Sequence, residues 1–208
     1  MATICPTVTA FDTHEYRVQM ERLEPFCERV HIDLMDGMFA PTTSPGLDHV
    51  WWPKNMIADI HLMYQDPAAH IDQLITLKPN LVVIHQEASG DHRNFADQLH
   101  RNGIKVGLAI LHDTPVEQVR ETIASFDHVL VFSGDLGRHG GVADMNILQK
   151  VAKVREYSPD IEVGWDGGVS DENAAALIAG GVNVLNVGGF IQNSTDPAAA
   201  YAKLKTIR

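Results

Sequence analysis

Eight short apolar runs, each followed by a polar stretch or by a longer segment of helical period, constrain this chain more than any other feature. The runs fall at residues 4–8, 30–35, 57–63, 81–85, 105–111, 128–132, 161–165 and 184–187, and they read as strands. Helices are expected over 14–28, 67–77, 92–101, 115–124, 144–157 and 171–180, with 197–205 closing the chain. Several carry start signals, such as Asp113-Thr114-Pro115 with Glu117 following, and Ser170-Asp171-Glu172.

Strands this uniformly apolar belong in a parallel sheet covered on its outside, and eight of them allow the sheet to close on itself. The expected fold class is α/β, a (β/α)8 TIM barrel forming a single domain over residues 1–208. An open doubly wound sheet is the alternative. Closure is favoured because His31, Asp33, His61, His85, Asp166 and the glycines after Val187 fall at or near the C-terminal ends of many different strands. In a barrel those ends converge on one mouth. The segment 39–56 breaks the pattern, with Pro41, Pro45, Pro53 and the Trp51-Trp52 pair, and is expected to be a long loop folded over something, with a short helix at most.

The balance of the composition narrows the partners. A formal net charge of −11 disfavours nucleic acid and anionic membranes, since both would be repelled. A small anionic substrate remains compatible, because backbone dipoles create local positive sites even in an acidic protein. Cys5 and Cys27 are too few for a disulfide framework and read as buried thiols. The N-terminal stretch lacks the features of a secretory signal, and no apolar run reaches the length of a membrane span, so a soluble cytoplasmic protein is expected.

Chemistry is suggested by polar residues embedded in apolar runs. His31 and Asp33 are two apart on a strand and so share a face. His61, in Ile60-His-Leu-Met63, and Asp166, in Val163-Gly-Trp-Asp166, repeat the theme. Any one of these is an ordinary strand-end residue. As a set they would carry a heavy burial penalty that a shared cation removes. Two imidazoles and two carboxylates suit one divalent ion such as zinc, iron, manganese or cobalt.

Glycines form a second constellation. Gly137, Gly140 and Gly141 follow the sixth strand, Gly167 and Gly168 the seventh, and Gly188 and Gly189 the eighth. Each group alone reads as a turn, but together they expose backbone N–H groups where a phosphate commonly docks in a barrel. Arg138 reads as a solvated surface residue, though its guanidinium could also reach that anion. His85 and Glu87 read either as groups behind the ligands or as a satisfied strand-end pair. Asp36 points away from Asp33 and is expected to hold a turn, while Met35 and Met63 are core residues placed to line a pocket.

At these motifs the chain resembles the ribulose-phosphate 3-epimerase family. The resemblance runs from Ile4-Cys-Pro-Thr7 through His31-Ile-Asp-Leu-Met-Asp-Gly37, His61-Leu-Met63, Ile84-His-Gln-Glu87, Gly107-Leu-Ala-Ile110 and Thr114-Pro-Val-Glu117 to Trp165-Asp-Gly-Gly168. It implies an oligomeric (β/α)8 barrel in which His31, Asp33, His61 and Asp166 bind the ion and Asp33 and Asp166 form the acid–base pair. It further implies an isomerase of the pentose phosphate pathway that interconverts D-ribulose 5-phosphate and D-xylulose 5-phosphate through an enediolate. Thr7 stands where the family tends to have serine, and its hydroxyl would bond the substrate.

Departures cluster around the substrate. Met38 replaces a histidine, Thr42 and Thr43 an asparagine, and Leu111 another asparagine. Leu136-Gly-Arg-His-Gly-Gly141 replaces Pro-Gly-Phe-Gly-Gly-Gln, Phe132 a methionine, and Gly189 a serine. These changes imply altered contacts to the sugar phosphate. They leave room for another ketose phosphate such as allulose 6-phosphate. A divergent barrel that keeps the metal for a binding or regulatory role is a further alternative, opposed by the retention of all four ligands. A lyase or decarboxylase on a similar barrel would often use a lysine near the site, and the strand ends carry none except Lys105, which begins a strand.

Overall fold

The structure is a computed structural model that describes residues 2–207. Its strands are β1 (Thr3–Thr9), β2 (Arg29–Met35), β3 (Ile57–Met63), β4 (Leu81–His85), β5 (Lys105–Ile110), β6 (His128–Phe132), β7 (Glu162–Asp166) and β8 (Val184–Val187). They pair in sequence order, all parallel, and β8 closes onto β1 from Thr3↔Val184 to Pro6↔Val187. The sheet is therefore a closed barrel, as expected, and the doubly wound alternative falls.

Strand alternation sorts the side chains into two populations. On β2, Val30, Ile32 and Leu34 join the large core between barrel and helices, while Arg29, His31, Asp33 and Met35 occupy the alternate positions that face inward. Inside, Leu81, Val83, Ala109 and Leu130 form a separate apolar plug. The plug divides the interior into an N-terminal end and a C-terminal mouth. Cys5 and Cys27 are both buried free thiols.

Most of the helices are shorter than their apolar periods suggest, while the closing one keeps its expected bounds. The first, α1 (Thr13–Leu23), stops short of Pro25 because proline cannot supply the next backbone N–H. α2 (Ile71–Leu77) is preceded by a 3₁₀ turn at Pro67–His70, and α3 (His92–His100) is capped by Asp91. Between β5 and β6 no α-helix forms, and two 3₁₀ turns, Val116–Val119 and Ile123–Ser125, stand in its place. Four β-branched residues in this short stretch disfavour the α-helix, yet Val116, Val119 and Ile123 still bury the face that their spacing implies. α4 (Gln149–Tyr157), α5 (Ala174–Ala179), the unanticipated turn α6 (Gly189–Gln192) and α7 (Pro197–Lys205) complete the outer layer.

The irregular segment 39–56 is a loop with one 3₁₀ turn, Leu47–His49. It does fold over something: Phe39 and Ala40 pack with Met35, Met63 and Leu136, tying it to the loop after β6. Asp36 holds its start, its carboxylate accepting from the N–H groups of Met38, Phe39 and Gln65.

Candidate active site

Parallel registration brings the predicted residues to one place. Asp33 pairs across β2 and β3 with His61, and Thr9 on β1 pairs with Asp33. Asp166 arrives from the end of β7. One ligand atom from each of His31, Asp33, His61 and Asp166 lies within 4.8 Å of the other three, and all four residues are buried. His61 Nδ1 is 2.9 Å from Asp33 Oδ1 and 3.8 Å from Asp166 Oδ2, while His31 Nε2 is 3.3 Å from Asp33 Oδ1 and 3.6 Å from Asp166 Oδ2.

Charge in the cluster is poised but incompletely bonded. Burial alone would lower the His31 imidazole, yet the carboxylates of Asp166 and Asp33 outweigh it and push it up to about 10. Burial would raise Asp33, and the nearby imidazoles of His31 and His61 hold its carboxyl well below the usual range instead. Even so, His31 Nε2 makes no aligned hydrogen bond. Among the described residues, the ion pairs of Asp33 and Asp166 are with these two histidines, and no lysine or arginine reaches either. Two inward carboxylates, an unpartnered buried nitrogen and a mixed N/O donor set are what a divalent ion requires, so the four residues could hold one.

Above the cluster lies a cavity of about 440 Å³ at the mouth. Asp33 and Asp166 line it, whereas the two imidazoles lie beneath and do not. Thr7, Thr9, Met63 and Phe132 contribute to its walls. All seven predicted glycines, Gly137, Gly140, Gly141, Gly167, Gly168, Gly188 and Gly189, also line it. Their reasons for being glycine differ. Gly168, at φ +67°, lets the loop after β6 pass close by, since a Cβ there would collide with the backbone of Val142 and Ala143. A Cβ at Gly188 would rest in ordinary contact with Thr7, and one at Gly189 with Asn193 and Gly140, so neither position demands glycine for space.

Four of the departures stand outside the cavity's own lining, one of them bonded to a residue of its wall. Met38 is solvent-exposed, Thr42 donates to the carbonyl of Gly137, and neither these nor Thr43 and Leu111 line the mouth. Phe132, Arg138, His139 and Gly189 do line it.

Two residues escaped the sequence reading. Thr9 donates its hydroxyl to Asp33 Oδ2 at 2.6 Å, and Asn186 on β8 is buried against the cavity with an unpartnered Oδ1. The signal for both was present: Thr9 shares a face with Thr7 two residues earlier, and Asn186 is a polar residue in an apolar run, like the four ligand candidates.

Comparison with known proteins agrees with this architecture. The model of the "Ribulose-phosphate 3 epimerase family" matches residues 3–192. The ribulose-phosphate 3-epimerase of Schizosaccharomyces pombe is 28% identical over 211 residues, spanning 98% of this chain and 92% of that protein. That of Mycobacterium tuberculosis is 30% identical over 186 residues, spanning 85% and 80%. A solved 3-hexulose-6-phosphate synthase superposes with a TM-score of 0.75 at 16% identity, over 99% of this chain and 100% of that one, a likeness of fold. Matched along most of its length by the family's own model, the chain belongs to the ribulose-phosphate 3-epimerase family, whose named enzymes are isomerases acting on carbohydrates.

Proposed function

We propose that this chain is a metal-dependent ketose-phosphate 3-epimerase that interconverts D-ribulose 5-phosphate and D-xylulose 5-phosphate. The observation that carries the proposal is that Asp33 and Asp166 belong to one four-residue cluster, come from different strands, and are its only members that line the cavity. His31, Asp33, His61 and Asp166 would hold one divalent ion of the zinc, iron, manganese or cobalt type. Such an ion supplies Lewis-acid polarisation of a ketose carbonyl and stabilises negative charge developing beside it.

The chain's own residues do the rest. One aspartate removes the proton from C3, and a planar enediolate of the sugar results. The other returns a proton to the opposite face, which inverts the configuration. Because the reaction runs both ways, each carboxylate serves as acid and as base. Thr9 fixes one oxygen of Asp33 by its short hydrogen bond, leaving the other directed at the cluster. Met63 and Phe132 line the wall beside the acids and keep water from the intermediate. Thr7 Oγ1, buried without a protein partner, would bond a substrate hydroxyl. Backbone amides around Gly137, Gly140, Gly141, Gly167, Gly168, Gly188 and Gly189 offer the phosphate site.

Arg138 and His139 on the cavity wall favour one second reading, an epimerase for a different ketose phosphate such as allulose 6-phosphate. Metal analysis before and after chelation, combined with exchange of the C3 proton into deuterated water on both sugars, tests the proposal. About one ion per chain, with exchange lost on chelation and restored with the ion, is expected. Full exchange by the chelated protein, or none on either sugar by the loaded one, refutes it.

A further inference from the structure

We infer that His85 and Glu87 are positioning residues that decide which ring nitrogen of His61 faces the cluster, a step that rests on the reading of His61 as a ligand. His85 ends β4 and is fully buried. Its Nε2 lies 2.8 Å from His61 Nε2, the rings are nearly stacked, and Phe39 and Phe132 pack against it from other sides. Its Nδ1 lies 3.5 Å from Glu87 Oε2. Neither of those two atoms has an aligned hydrogen-bond partner, so at 3.5 Å the carboxylate acts on the ring as a neighbouring negative charge.

Glu87 is itself fixed. Its Oε1 accepts from the N–H of Leu111 and from the hydroxyl of Thr114, and Lys150 Nζ ties the same loop by donating to the carbonyls of Leu111, His112 and Thr114. A carboxylate is thus held rigidly against one side of His85, and His61 against the other.

Hydrogen counting gives the consequence. Two imidazole nitrogens 2.8 Å apart share one hydrogen, so one donates and the other accepts. If a neutral His85 donated from Nε2, its Nδ1 lone pair would face the carboxylate of Glu87, acceptor against acceptor. Glu87 therefore selects Nδ1–H on His85. The Nε2 lone pair of His85 then accepts from Nε2–H of His61, and His61 keeps a lone pair on Nδ1, the nitrogen that faces Asp33 and Asp166.

This relay has something to oppose. Asp33 Oδ1, 2.9 Å from His61 Nδ1, would by itself draw a hydrogen onto that nitrogen and block it as a ligand. Partners of this kind behind a metal-binding histidine commonly fix its tautomer and ring orientation.

The test is the zinc affinity of the chelated protein, measured by competition with a chelating dye, for wild type and for His85→Leu, His85→Gln and Glu87→Gln. His85→Leu should weaken zinc binding by roughly 10- to 100-fold. His85→Gln should stay near wild type, because its side-chain carbonyl can still accept from His61, and Glu87→Gln should fall between the two. In the ¹⁵N imidazole spectrum of the zinc-loaded wild type, His85 should show a protonated Nδ1 and an unprotonated Nε2. The opposite His85 tautomer, or unchanged affinity in all three variants of a protein that does bind zinc, overturns the relay and leaves the metal reading standing. A wild type that binds no zinc overturns both. Glu87, with its side chain 24% exposed, keeps the test available should His85→Leu not fold.

Discussion

The two ends of this barrel are built from the same parts and solve opposite problems. At the N-terminal end, Arg29 on β2, Asp59 on β3, His128 on β6 and Glu162 on β7 point inward. Arg29 binds Asp59 at 2.6 Å and both oxygens of Glu162 at 3.1 and 3.0 Å, His128 adds 2.8 Å to Glu162, and Asn80 donates to the free oxygen of Asp59. At the mouth, β2, β3 and β7 again supply the residues, two to four positions further on, but no arginine comes with them. One end carries its own cation. The other presents two carboxylates to a cavity with only imidazoles between them, a difference that fits the proposed binding of a cation from outside at the mouth.

The sharpest way to break this comparison is to neutralise one carboxylate at each end. Asp166→Asn should lower C3 proton exchange on ribulose 5-phosphate by about 10³-fold or more, since acid–base catalysis by a positioned side chain is worth roughly 10²–10⁴-fold and a ligand is lost as well. Glu162→Gln, four residues earlier on the same face of β7, should leave exchange near wild type. Equal loss in both variants, or retained exchange in Asp166→Asn with an unchanged circular dichroism spectrum, would remove the functional distinction between the ends.

How far this distinction could be read from the sequence depends on what each residue contacts. His31, Asp33, His61 and Asp166 were legible because a charge or imidazole inside an apolar strand signals a buried partner, and strand parity fixed the shared face. The same signal is present at Asp59 and His128, yet it could not separate an internal ion pair from a metal site, because Arg29 lies across the barrel from Glu162, 133 residues away in sequence. The eight strands were legible through their apolar runs. Most helix ends were not, the closing helix Pro197–Lys205 excepted: Pro25 was a written stop signal within the expected first helix, while the 3₁₀ turns before β6 depend on β-branched residues settling into a short connection. Local pattern shows which face is buried, and only the closed sheet shows what waits there.

A second variant sharpens the comparison by removing the internal cation. Arg29→Met leaves Asp59, whose side chain is 2% exposed, without its charged partner. Breaking a buried pair from one side typically costs about 3–5 kcal/mol, and the lower end is expected here because Glu162 retains His128 and is partly solvated. Urea unfolding monitored by circular dichroism should show this loss, while ion content and C3 exchange of the folded variant stay near wild type. An Arg29→Met protein as stable as its parent would mean that the N-terminal cluster is not held by its own cation.

The smallest effect expected is in the acid limb of stability. Burial by itself would raise the Glu162 carboxyl, but hydrogen bonds from His128 and Arg29, with their charge, hold it below the usual range. A carboxyl lower in the folded than in the unfolded state adds stability above its unfolded pKa, about 4.3, and that stability drains away as pH falls from there toward the folded value. Glu162 is 37% exposed, so solvent screening limits the contribution to about 1 kcal/mol. Glu162→Gln should therefore show a shallower fall in urea midpoint below about pH 4.5 than wild type does. Release of the bound ion on acidification, which answers to the carboxylates at the mouth, should occur at the same pH in both proteins. If the variant instead shifted ion release and left the stability slope untouched, the two ends would be one coupled system, and the plug of Leu81, Val83, Ala109 and Leu130 between them would not insulate the site from the foundation beneath it.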